Sequence, residues 1–321
     1  MSTPRSLPTT VTDPEEAMTH STQPTVLDTP PVPEIPPTPK VAAEPSFTSK
    51  VVSTVGSLGP SIIVPLILLL GLIAAAVIPA VLTPSGPLDM NPAEAFTAPG
   101  AAHWFGTDES GRDVYSRVIH GARSSLLIGI LATVIGLGLA LVLGAIAGLG
   151  TRAVDFGVSR FLEVLFAFPG LLLALLVITI LGPGVVTTTI AVGLSAAPGY
   201  ARMIRSQVLS IRSSGYVEAS IVQGKSRGFI IRHHILPNVA APLFVLATLG
   251  VGQAIVWASS LSFLGLGATP PDPEWGSMLS LGRLYIGNAW WLTVFPGLFI
   301  VLSAATTTLL GHGIQRKLKD K

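Results

Sequence analysis

Apolar residues gather into six long runs, at about 58–82, 124–149, 164–181, 185–204, 239–264 and 291–310, with polar segments of unequal length between them. A helix needs about 20 largely apolar residues to cross the hydrocarbon of a bilayer. Each run is close to that length, so the pattern predicts an all-α membrane protein with six transmembrane helices. Pro60, Pro65, Pro169, Pro242 and Pro296 fall within or at the ends of these runs, which membrane helices tolerate.

The polar segment at 215–238, GYVEASIVQGKSRGFIIRHHILPN, is a basic island between the fourth and fifth runs. It predicts a short amphipathic helix around Glu218, about eleven residues and therefore about 16 Å long. Val217, Ile221 and Val222 form the apolar side of that helix, with Glu218 and Lys225 at its polar edges. Gly224 allows a left-handed exit. Pro237 sits where a new helix starts, where its missing N–H costs nothing.

Composition supports the membrane reading: 11% of residues are charged, against roughly 25% in soluble domains. Residues 1–50 hold eleven prolines and few large apolar side chains, so the segment 1–54 is expected to be a disordered tail. Its pattern is not that of a signal peptide.

The basic residues set the orientation. With the N-terminus in the cytoplasm, fifteen of the nineteen Lys and Arg lie in inner segments, leaving only Arg112, Arg117, Arg123 and Arg283 outside. This bias places both termini, the basic 316–321 tail and the 215–238 loop in the cytoplasm. Trp290 and Trp291, at the outer end of the sixth run, read as an interfacial aromatic anchor.

The energy source follows by exclusion. The six apolar cores hold no Asp, Lys or His, whereas ion-coupled carriers usually place ionisable groups at mid-membrane depth. There is no GxxxxGK[ST] phosphate loop, and without cysteine no thiolate chemistry. Neighbouring His233 and His234 point in different directions and make a poor chelating pair. Gln253, Thr187, Thr188 and Thr189 are the polar groups available to a pathway. An ion-coupled secondary carrier is the alternative, and uphill transport otherwise needs energy delivered from another chain.

Four ordered blocks carry a family resemblance. Glu218-Ala219-Ser220-x3-Gly224, followed by Leu236-Pro237, resembles the EAA loop of membrane subunits of ABC importers, with Ser220 where the family usually has alanine. His234 stands where isoleucine is common, and Arg232–Asn238 resembles the RHILPN variant of the dipeptide, oligopeptide and nickel branch. His103–Asp113 resembles HPLGTDxxGRD, Phe166–Pro169 resembles LAFP, and Leu261–Gly267 with Trp275-Gly276 resembles LSFLGLG…WG. His312 replaces an acidic residue usual near the C-terminus.

The resemblance, over about 55–315, is to the C-type permease of a dipeptide/oligopeptide/nickel-family ABC importer. It implies the type I permease fold, with a cytoplasmic coupling helix between helices 4 and 5, in the plasma (inner) membrane. It also implies a transport subunit that is not itself an enzyme and holds neither cofactor nor metal, ATP and magnesium being bound by one fused or two partner ATPase subunits. The remaining partners would be a second homologous permease and an extracytoplasmic substrate-binding protein, with no nucleic acid. Tyr216, Val217, Glu218, Ala219, Ser220 and Gly224 would couple to the ATPase. Asp108, Arg112 and Asp113 would form a tight outer turn that meets the binding protein. The cargo would be small peptides, with nickel or another solute as the variant within the family.

Overall fold

In a computed structural model, residues 60–319 are described; the 1–54 tail, the first two residues of the first apolar run and the last two of the chain lie outside them. Among the described residues the architecture is helical, and each apolar run is mostly helix. We number the principal helices α1 (Pro60–Val77), α2 (Val114–Leu149), α3 (Arg152–Phe166), α4 (Gly170–Leu181), α5 (Val185–Arg212), α6 (Gly215–Val222), α7 (Leu236–Phe263), α8 (Trp275–Gly282) and α9 (Trp291–Lys319). By length and hydropathy, three helices of the described residues suffice to cross a membrane: 114–149, 242–263 and 291–317. A fourth crossing is added if α3 and α4 count as one broken span.

The bounds differ from the apolar runs for identifiable reasons. Helix α2 begins ten residues before the second run because the Asp113 side chain accepts from Ser116 N and caps it. The third run is not one rod. Helices α3 and α4 meet at a 90° bend, at Phe168-Pro169, where proline cannot continue the α3 hydrogen bonding. Helix α5 runs on to Arg212, past the end of its apolar run.

The core pair is α2 against α5, and small residues make it. A Cβ at Gly136 would lie 2.9 Å from the Gly193 carbonyl, one at Gly144 2.8 Å from the Ala201 carbonyl, and one at Gly193 2.8 Å from the Ala132 carbonyl. Gly136, Ala140, Gly144 and Gly148 recur every fourth position, one stripe along one face of α2. Such stripes let membrane helices approach to backbone contact, where lipid supplies no hydrophobic drive for association.

Helix α7 packs on α2 and α9, and α9 packs on α1. Large apolar side chains face outward along α1, α2, α4 and α9, among them Leu70, Val134, Leu176 and Val301. An apolar exterior of that extent fits a lipid surround.

Candidate functional site

The 215–238 segment folds as a helix, a tight exit and a widened turn. Ser214 starts α6, its carbonyl accepting from Val217 N and Glu218 N. The helix is eight residues rather than eleven, hence about 12 Å long. Gly224 ends it at φ +73°, with Gly224 N donating to Ile221 O and Lys225 N to Ser220 O. That pair of bonds is the Schellman arrangement, which needs a left-handed residue at the Gly224 position.

Ser226 then caps a single turn, 227–230. A π-turn follows over 231–235, with Leu236 N reaching back five residues to Ile231 O. Pro237 gives the reason: it lacks an N–H for the His233 carbonyl, and its ring crowds that carbonyl, so the turn widens.

The helix presents a mixed face. Val217 is 1% exposed and joins an apolar cluster with Ala140 of α2, Leu162 of α3, Ala201, Ile204 and Val208 of α5, and Ile235 and Val239. Ser220 is also buried. Tyr216, Glu218, Ala219, Ile221, Val222 and Gly224 are exposed. The expected apolar side therefore divides: Val217 anchors the helix inward, while Ile221 and Val222 stand outside. Ile221 lies one turn on from Val217 along the same side, yet the neighbouring helices cover only Val217 and Ser220 and leave Ile221 57% exposed. Beside this loop the Asp155 carboxylate of α3 receives Arg205 of α5, with Nη2–Oδ2 at 2.7 Å. Arg202 lies 4.2 Å over the Phe166 ring.

The opposite end holds the 83–113 loop, a cross-linked knot. Asp108 Oδ1 accepts from Ser110 N and Arg112 N, each at 2.9 Å. Its Oδ2 lies 3.6 Å from both Arg112 Nη1 and Arg117 Nε. Arg117 also donates to the carbonyls of Pro87 and Pro271. Asp113 caps α2 through Oδ2 and meets His103 Nδ1 at 3.0 Å through Oδ1, while His103 Nε2 lies 3.2 Å from Glu94. The Asp113 hydrogen bond raises the His103 pKa above its ordinary value; burial opposes this, and Glu94 adds to the rise.

Asp108 and Arg112 pair locally, with both side chains turned inward. Asp108 is buried and Arg112 and Asp113 are half-buried, whereas Trp104 is 65% exposed. Trp290 and Trp291 part company. Trp290 is half-exposed, but Trp291 is buried and donates from Nε1 to Thr107 O at 3.0 Å, so it is a strut rather than an interfacial anchor.

Sequence reading missed Glu274. It is buried, caps α8 by accepting from Gly276 N and Ser277 N, each at 2.9 Å, and accepts from Ser125 Oγ of α2. An acid immediately before Trp275-Gly276 was the available cap signal. Of the polar groups assigned to a pathway, Thr188 and Thr189 are buried and donate to Leu266 O and Val185 O. Gln253 remains exposed. At the α6 end an apolar cleft of about 430 Å³ opens between α5, α7 and α9, with Gln207 and Gln315 at its margin. His312 is exposed on α9.

Residues 140–320 match the family described as binding-protein-dependent transport system inner membrane component. The chain is 42% identical to the dipeptide transport system permease protein DppC of Alkalihalophilus pseudofirmus, over 81% of this chain and 85% of that one. It is 44% identical to the di/tripeptide transport system permease protein DppC of Pseudomonas aeruginosa, over 67% of this chain and 71% of that one. Among solved structures, an inward-facing form of the MetNI methionine ABC transporter aligns with 64% of this chain and 97% of its own, at TM-score 0.53 and 20% identity; this likeness concerns the fold. The chain therefore belongs to the family of binding-protein-dependent transport system inner membrane components.

Proposed function

We propose that this chain is one permease subunit of an ATP-driven importer that carries small peptides across the plasma (inner) membrane. The observation that carries the peptide reading is its 42% identity, across most of both chains, to a dipeptide permease. In this reading the chain crosses the membrane six times, through α1, α2, the bent α3–α4 pair, α5, α7 and α9, with both termini in the cytoplasm. A second homologous permease completes the pathway, and the cleft between α5, α7 and α9 lies on that side.

Helix α6 is the coupling element. Val217 roots it in the cluster shared by α2, α3, α5 and α7, and the exposed Tyr216, Glu218, Ala219, Ile221 and Val222 form the face offered to a separate ATPase. ATP and magnesium belong to that partner, one fused chain or two, and this chain adds neither catalytic residue nor cofactor. Nucleotide binding closes the ATPases and draws the paired α6 helices together, and the motion passes from α6 to the long helices. The binding protein delivers cargo at the opposite face. There Asp108, Arg112 and Asp113 hold the loop in shape and Trp104 stands exposed.

The test is reconstitution with the cognate ATPase, second permease and binding protein, followed by identification of the ligand that co-purifies with the binding protein. ATP-dependent accumulation of that ligand, identified as a di- or oligopeptide, is the expected result. Accumulation driven by an ion gradient without ATP overturns the mechanism, and a non-peptide ligand overturns the cargo.

A further inference from the structure

Two positions that the sequence singled out separately, Ser220 in α6 and His234 in the π-turn before α7, are partners. Ser220 Oγ lies 2.9 Å from His234 Nε2 and also 2.9 Å from the Tyr216 carbonyl oxygen. A hydroxyl has one proton, and a carbonyl can only accept. The Ser220 proton therefore goes to Tyr216 O, and the hydroxyl accepts from His234, which fixes an N–H at Nε2. Tyr216 and Phe229 flank the imidazole at ring-centroid distances of 5.7 and 5.9 Å. Ser220 is 8% exposed, so water competes little for this bond.

Among the described residues this is the one side-chain hydrogen bond that joins α6 to another element. The other fastening, Val217 in its apolar cluster, is non-directional and leaves α6 free to roll or slide on the cluster. The backbone route from α6 to α7 leaves the helix over 223–226, all exposed and with Gly224 at φ +73°, before helix resumes at 227 and continues through the π-turn into α7. A push on the outer face of α6 would be absorbed in that connection unless a directional bond bridged it.

We propose that the Ser220–His234 hydrogen bond locks the angle of α6 against the foot of α7, so that force applied to α6 moves α7 directly. Ser220 and His234 are positioning residues for the coupling step. The inference rests on the coupling role assigned to α6 above, and goes beyond it by naming the bond that carries the motion.

The experiment needs no knowledge of the cargo. The chain has no cysteine, so Leu264→Cys, just beyond the far end of α7 and exposed, gives a thiol whose maleimide-labelling rate can be followed in the complete transporter. The rate is compared between the nucleotide-free and ATP–vanadate states. Backgrounds are the unaltered loop, Ser220→Ala, His234→Phe, the double variant and Ser220→Thr.

With the unaltered loop, nucleotide changes the rate. Ser220→Ala and His234→Phe each shrink that change by about fivefold, the factor that one net hydrogen bond is worth. The double variant falls no further, Ser220→Thr keeps the response, and ATP hydrolysis continues in all. Single variants that respond fully, or effects that multiply in the double variant, overturn the inference and leave the coupling role of α6 intact. No nucleotide response with the unaltered loop instead removes the coupling reading itself. Should Ser220→Ala fail to assemble, His234→Phe decides by the same readout.

Discussion

The Trp291 indole donates to the Thr107 carbonyl at 3.0 Å, tying the first residue of α9 to a loop 184 positions earlier in the chain. The 83–113 loop is thereby held by the last helix as well as by α2, which it precedes. Trp291→Phe keeps most of the packing but leaves a buried carbonyl without its donor, a loss of about 1–3 kcal/mol. A lower melting temperature in detergent and faster proteolysis within 83–113 are expected. Trp290→Phe, at a half-exposed position, serves as the control and should stay within about 0.5 kcal/mol of the parent.

The contact between α2 and α5 predicts opposite outcomes for two glycines one turn-half apart. Gly136→Ala places a methyl 2.9 Å from the Gly193 carbonyl and should destabilise by about 1–3 kcal/mol, because backbone cannot yield as a side chain can. Gly138→Ala meets nothing within 4 Å and should be neutral or stabilising by up to about 1 kcal/mol through helix propensity. Thermal unfolding of the two variants side by side checks both.

The 83–113 loop should loosen as pH rises. His103 has a raised pKa because its hydrogen bond to Asp113, and then its contact with Glu94, outweigh the effect of burial. For a base raised on folding, the stabilisation is complete below the unfolded pKa of about 6.5 and disappears as pH climbs through the higher folded value. Limited proteolysis of 83–113 from about pH 6 to pH 9 should accelerate in the parent. His103→Gln should lose most of that dependence.

Glu218→Ala combined with Gly224→Ala should uncouple the transporter. Glu218 lies on the exposed face of α6, and Gly224 adopts φ +73°, where a side chain costs about 1–2 kcal/mol. The expected outcome is continued ATP hydrolysis and intact assembly, with uptake reduced by about tenfold, the effect of ~1.4 kcal/mol lost from the coupling contact. Parallel assays of phosphate release and ligand accumulation read this directly, and full uptake would sink the coupling role.

Run lengths alone determined that this protein would be helical and apolar, because the cost of unpaired backbone in hydrocarbon leaves such runs little choice. Gly224 announced its left-handed turn, a local steric fact; Pro237 marks not a fresh helix start but a widened π-turn in helix that already runs from 227. Three things were beyond the sequence. It did not say that Val217 would turn inward while Ile221 and Val222 faced out, that Trp291 would be buried against Thr107, or that Ser220 would meet His234. In a membrane protein, lipid is as apolar as the interior, so hydropathy cannot tell a buried face from a lipid-facing one. Only tertiary packing, including the close approach of α2 and α5 at their glycines, decided which faces were inside.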